Sequence, residues 1–414
     1  MHLRPSVLLL SLASTLLAPA VALATSPAGP GTGLVTPAAA AEPPDRADED
    51  FPEYLGRHLG LSAAAAAPTQ SRFHLALLPF VMANPLVGAG GGAAALGGFR
   101  LGPPGEPFSR FEASAFATAR HQAGGVLRTG IRLPSEGWLL VGDWGAGRFP
   151  NPAYGLGGLT TSADRTIVDR RQVQIHETAY RRTASRLFAG LGYDLDLFEG
   201  IVDRRAAAGE ATGFAAYPFG TGSRSVSSGL SLHLLWDGRD NPVAPRRGQY
   251  ALVRYRFEPS VLGTDDDWRS VYADARTYFP LRHGEDVLGL WAFAWSSFGN
   301  TPYLLLPAVG ADPEHRSARG YVEGRFAAKD LAYLEAEYRI HLWQWLGGAV
   351  AASLAAPSER GTGVPGPLFR RVHPAIAGGW RVLLDRASGA NIALDAAWAP
   401  GQGPSFYVNA NETF

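Results

Sequence analysis

Between Leu331 and Trp343 the side chains alternate with a period of two, without interruption. Ala332, Leu334, Ala336, Tyr338, Ile340 and Leu342 fall on one side, and Leu331, Tyr333, Glu335, Glu337, Arg339, His341 and Trp343 on the other. Successive side chains of a strand point to opposite faces, so a strand here has one apolar face and one face with a charged middle and aromatic ends. Such a strand suits a wall with lipid on one side and water on the other. The pattern recurs upstream. In 267–280, Asp274 and Arg276 share a face with Trp268 and Tyr272, while Val271, Ala273, Ala275 and Phe279 take the other. In 247–261, Ala251, Val253, Tyr255 and Phe257 oppose Arg254, Arg256 and Glu258. Alternation by itself fits a soluble sandwich equally well, because periodicity does not say which face meets water.

Other parts of the chain favour the membrane. His2 and Arg4 precede an apolar run from Val7 through Leu17, and Ala22-Leu23-Ala24 follows. A basic start, a short apolar run and an A-x-A site describe a secretory signal peptide over residues 1–24, too short for a spanning helix. No later window approaches the ~20 apolar residues of a transmembrane helix. A chain of this kind can enter a bilayer only as a closed barrel, since only helices and barrels satisfy every backbone polar group in lipid. The chain has no cysteine, which excludes a lipobox and a disulfide framework. Its 37 basic and 37 acidic residues balance, so nothing points to nucleic acid as a partner.

Residues 25–71 are rich in Pro, Ala, Gly and Thr as far as Ala41, then acidic at Asp45, Asp48, Glu49 and Asp50. Phe51, Tyr54, Leu55, His58 and Leu59 come next at helical spacing. This reads as a flexible periplasmic linker with one short amphipathic helix, resting at the rim or entering the lumen. Residues 72–414 break into sixteen alternating stretches separated by turn signals, the last of them 404–414. The fold class expected is all-β: a 16-stranded antiparallel transmembrane β-barrel. An even number is what bacterial single-chain barrels use. With both termini periplasmic, 299–327 becomes the sixth and longest extracellular loop.

Two motifs in this frame carry a resemblance. The first is Arg319-Gly320-Tyr321, followed by Glu323-Gly324-Arg325-Phe326 and by Glu337-Tyr338-Arg339. The second is Asp237-Gly238-Arg239-Asp240-Asn241-Pro242, with Pro245 and Gly248 after it. Over residues 72–414 the chain resembles the bacterial surface antigen family, the superfamily of BamA/TamA-type outer-membrane assembly and secretion barrels. The resemblance implies that the sixth loop folds back into the lumen, with Arg319, Gly320 and Tyr321 as its tip and Glu337 as the wall residue that holds it. Where the family has a second acidic residue on the next strand, this chain has Ala351-Ala352-Ser353-Leu354-Ala355. Arg319 is therefore expected to depend on Glu337 almost alone.

In the second motif Asp237, Arg239, Asp240, Pro242 and Gly248 are read as a structural periplasmic turn, in which Asp and Asn cap the backbone and Pro fixes φ. Phe414, with Phe406, Val408 and Ala410 in alternate register before it, resembles the C-terminal signal read by the barrel-assembly machinery; Glu412 departs from the pattern. Residues 25–71 are too few for even one of the periplasmic POTRA modules of larger relatives.

The resemblance implies a non-enzymatic role in inserting polypeptides into the outer membrane or moving them across it. Its partners would be outer-membrane lipid, the assembly machinery and polypeptide clients. The alternative is a passive pore or structural barrel without client handling. No nucleophile elbow is present. The ten histidines lack metal spacing, and Gly88–Gly98 lacks the Lys-Ser/Thr end of a phosphate loop. No cofactor or metal is expected.

Overall fold

A computed structural model describes residues 73–414 except 85–87, 103–108, 135–136, 366, 387–388 and 411. The expected signal peptide (1–24) and linker (25–71) lie outside the described residues. The strands are β1 (Phe73–Asn84), β2 (Gly88–Phe99), β3 (Ser109–Thr118), β4 (Ala123–Arg132), β5 (Trp138–Arg148), β6 (Asn151–Ala153), β7 (Thr166–Ala184), β8 (Leu187–Asp203) and β9 (Arg224–Asp237). They continue with β10 (Gly248–Glu258), β11 (Trp268–Leu281), β12 (Asp286–Gly299), β13 (Asp330–Trp343), β14 (Leu346–Pro357), β15 (His373–Asp385), β16 (Ala390–Trp398) and β17 (Ser405–Ala410). Each pairs antiparallel with its sequence neighbour, except that β5 pairs with β7 and the three-residue β6 is a spur on β7. The result is an up-and-down β-barrel fold with almost no helix among the described residues.

The side chains divide between the two faces in the inverse of a soluble protein. On β9, Leu230, Leu232, Leu234 and Trp236 are 40–58% exposed, whereas Ser225, Ser227 and Ser231 are at most 2% exposed. On β13, Leu334 is 56% exposed while Glu335 and Glu337 are buried. An apolar exterior around a polar interior is the arrangement lipid selects, because the outer face there needs no water and the inner face can pair its charges. Among the described residues no helix is long and apolar enough to cross a membrane.

The structure departs from the sequence expectation at two places. The last strand ends at Ala410 rather than continuing to Phe414. Glu412, Thr413 and Phe414 lie buried instead, with Phe414 4% exposed in a cluster with Tyr278, Trp291 and Phe293. In addition the three-residue β6 (Asn151–Ala153), which is not one of the sixteen expected stretches, pairs with Thr166–Val168.

Candidate functional site: the loop-six lock

Residues 300–329, between β12 and β13, form the loop that the sequence places sixth on the extracellular side. Much of it is buried, including Tyr303, Leu306, Val309, Arg319, Tyr321 and Phe326. One part reaches the loop between β6 and β7. The Tyr303 hydroxyl donates to Gly155 O at 2.9 Å and accepts from Gly155 N at 3.0 Å. Arg325 donates to Thr160 Oγ1 and Thr160 O and lies 4.4 Å over the Tyr154 ring. Another part docks against the far wall. Tyr321 donates to Pro374 O at 3.1 Å, and Phe326 stacks on His373 at 3.7 Å. The loop thus bridges two sides of the interior.

Its tip is held by charge. Arg319 is 6% exposed and donates to Glu335 at 2.6 Å, to Glu337 at 2.7 Å and to Asp395 on β16 at 2.6 Å. The expectation of near-exclusive dependence on Glu337 is corrected here. Ser353 indeed brings no charge on β14, but Asp395, two strands further on, and Glu335, two residues from Glu337 on the same inner face, supply two more carboxylates. Glu337 is itself shared, 2.8 Å from Arg339 and 3.4 Å from Arg381. Arg381 also pairs with Asp395 at 2.7 Å and Glu412 at 2.8 Å. Three guanidiniums and four carboxylates form one desolvated net in which each charge is paired, the condition under which buried ions are tolerated. The Tyr333 hydroxyl joins by donating to Glu335 while accepting from Ala318 N.

Gly320 is required by backbone geometry. Its φ is +107°, and a Cβ would sit 2.9 Å from the carbonyl carbon of Trp398. Gly320 N donates to the Tyr407 hydroxyl at 3.0 Å. Gly320→Ala combines a left-handed φ with a main-chain clash and is expected to lift the tip at a cost of about 1–3 kcal/mol. Faster proteolysis within 300–329 than in the wild type would register this; an unchanged cleavage rate would contradict it.

Behind the tip, His315 Nδ1 lies 3.5 Å from Glu323. The ring is about half exposed, and although the crowded lumen around it disfavours the imidazolium, the Glu323 carboxylate outweighs this and raises the His315 pKa to about 9. Because the folded value lies above the ordinary one, this pair stabilises the loop fully below pH ~6.5 and loses its contribution as pH rises through about 9. Protease susceptibility of loop six should therefore increase as the pH is raised from neutral through about 9, and His315→Gln should flatten that dependence.

The other expected site residues fall in two places. In the turn after β9, Asp237 accepts from Arg239 Nε at 3.0 Å and Arg239 N at 3.2 Å, and the Arg239 guanidinium lies 4.6 Å over the Tyr250 ring. Asp240 accepts from the main chain of Arg246 and Arg247, and Asn241 from Val243 and Ala244. Pro242 stands between these caps, and Gly248 has φ +102°, where a Cβ would collide with Gly238 O. The turn caps itself and sends Arg239 inward. It touches the lock's edge through Pro245 O, which accepts from Arg339 at 3.1 Å.

Phe414 lies at the other edge. Its ring is 5.3 Å from Trp291 and 6.2 Å from Tyr278, and its carbonyl accepts from Arg339 at 2.6 Å. Glu412 accepts from Arg381 and from Asn391, and its carbonyl accepts from Arg316 of loop six. The tail and the loop therefore share one ionic net.

Residues 166–345 match the family described as the Omp85 superfamily domain. That segment is an Omp85 superfamily domain. The barrel fold is similar to a solved structure of BamA from Haemophilus ducreyi lacking POTRA domains 1–3, at 13% identity and a TM-score of 0.55, over 83% of this chain and 70% of that one. It also resembles CdiB from Acinetobacter baumannii at 10% identity and a TM-score of 0.48, over 82% of this chain and 60% of that one. No curated protein matches the chain. The matched segment covers β7 to β13 with both motifs, and such barrels belong to the bacterial outer membrane.

Sequence reasoning missed Asp395, Arg381 and Glu412 as members of the net. Each sits in an ordinary alternating strand or a short tail; the pairing of β13 through β16 brings Asp395 to Arg319 and Arg381 to Glu337, and Glu412 reaches Arg381 from the tail.

Proposed function

We propose that this barrel takes part in inserting polypeptides into the outer membrane or moving them across it, without enzymatic chemistry. The observation that carries this reading is the occupied lumen. Loop six bridges the interior, its tip sits in a net of seven buried charges, and residues 412–414 fill space beside it. A passive pore needs a clear lumen and has no use for so costly a burial of charge. A lock that holds a loop fits a barrel that changes state when it handles a client. Phe414 is buried in the folded barrel, so the barrel-assembly machinery would read it only before folding is complete. The test pairs planar-bilayer conductance of the purified barrel with the outer-membrane proteome of a strain depleted of it. Low, flickering conductance and loss of client proteins are expected. A steady open pore with an unchanged proteome would favour a passive channel and defeat the proposal.

A further inference from the structure

The lipid-facing wall of β10 to β14 is not evenly covered. Register places Val253, Ala273, Ala294, Ala332 and Ala356 side by side across five strands. The next row down is Ala251, Ala275, Ala292, Leu334 and Leu354. Larger side chains stand around them, among them Phe257, Trp236 and Ile376, 40–56% exposed. The short side chains leave two hollows of about 650 and 830 Å³ that share Ala251, Ala275, Ala292, Leu334 and Leu354 and so form one apolar groove. Four inter-strand steps make such a row roughly 19 Å long, the scale of an extended acyl chain.

At its extracellular lip the groove is lined by Val372. Val372 closes the loop before β15, where Leu368, Phe369 and Val372 are 41–51% exposed beside the exposed Arg370 and Arg371. Neither arginine has a carboxylate partner among the described residues; Arg370 donates only to Pro365 O, at 3.3 Å. A second exposed arginine site lies on the same rim, where Arg269 pairs across the sheet with Phe257 and Phe298. Exposed aromatic and aliphatic side chains with unpaired guanidiniums suit an interface where acyl chains end and anionic headgroups begin.

We infer that this face binds a phosphorylated, multiply acylated lipid of the outer leaflet, with an acyl chain in the alanine-lined groove and its phosphates on Arg370 and Arg371. The occupant is identified by charge complementarity at the lip and by the length and dryness of the groove. The inference is independent of whether the barrel handles polypeptides.

Native mass spectrometry of the detergent-purified full chain tests it, with bisphosphorylated lipid A as the probe and its dephosphorylated form and phosphatidylethanolamine as controls. The wild type should retain lipid A in preference to both. Arg370→Gln with Arg371→Gln should weaken retention roughly 25-fold, at about fivefold for each arginine. Ala294→Trp with Ala332→Trp, which fills the groove from the lipid side, should abolish the preference while the heat-modifiable folded band on gels persists. Equal retention of the phosphorylated and dephosphorylated lipids would overturn the inference, as would tryptophan variants that bind as the wild type does.

Discussion

Arg319→Ala is expected to release loop six and destabilise the barrel by about 3–5 kcal/mol, the range for breaking a buried pair. The cost falls mainly on one residue. Without Arg319, Asp395 keeps Arg381 at 2.7 Å, and Glu337 keeps Arg339 at 2.8 Å and Arg381 at 3.4 Å. Glu335 keeps only the Tyr333 hydroxyl and has no other guanidinium among the described residues. Glu337→Ala should cost less, about 1–3 kcal/mol, although Glu337 is fully buried. After its removal Arg319 still meets Glu335 and Asp395, and Arg339 and Arg381 still meet Glu412. This ordering reverses the near equality that a single Arg319–Glu337 pair would produce.

Because the chain has no cysteine, Ser317→Cys supplies a clean probe at a position only 5% exposed. Its maleimide labelling should be slow in the wild type, intermediate with Glu337→Ala and fast with Arg319→Ala. Adding Glu335→Gln to Arg319→Ala should recover part of the loss, with a coupling of about 0.5–3 kcal/mol. Labelling that is equally slow in all variants would show that the net does not hold the loop.

Phe414→Ala should be comparably damaging, at about 3–5 kcal/mol for loss of a buried phenylalanine. Its ring fills the space beside Trp291 and Tyr278 and approaches Gly289, where an added Cβ would lie 3.0 Å away. The effect should reach the lock, because Arg339 donates to the Phe414 carbonyl and Arg381 to Glu412. Urea unfolding of the refolded barrel measures the first effect and Ser317→Cys labelling the second. A Phe414→Leu variant separates them: it keeps most of the apolar volume and should restore loop protection while recovering only part of the stability. If Phe414→Ala left stability untouched, the tail would not be an internal element of the barrel.

Much of the architecture was legible in the residues because one physical rule repeats along the whole wall. Each strand must show apolar side chains to lipid and polar ones to the lumen, so the alternation of Leu331–Trp343 and its counterparts marks strands and their faces locally. The tip motif was legible as well, since Arg319-Gly320-Tyr321 is a local signature and Gly320 carries its own backbone reason. Phe414 misled because alternation over Phe406, Val408 and Ala410 continues to it in register. Glu412 broke that pattern, and the structure gives the reason: its carboxylate turns inward to Arg381 instead of standing on a strand.

By itself, then, the sequence determined the kind of fold, the face each strand shows to lipid, and the loop that carries the Arg-Gly-Tyr tip, because all three are written in side chains at spacings of one, two or three residues. Only the tertiary structure decided which charges Arg319 meets, that the tail turns inward, and that alanines on β11 to β14 line up into a groove. Those outcomes depend on strand register, which brings residues far apart in the chain into contact, Arg319 and Asp395 among them at 2.6 Å. Alternation identifies the inner face of a strand, but a carboxylate on that face has no local mark to show which guanidinium it will meet.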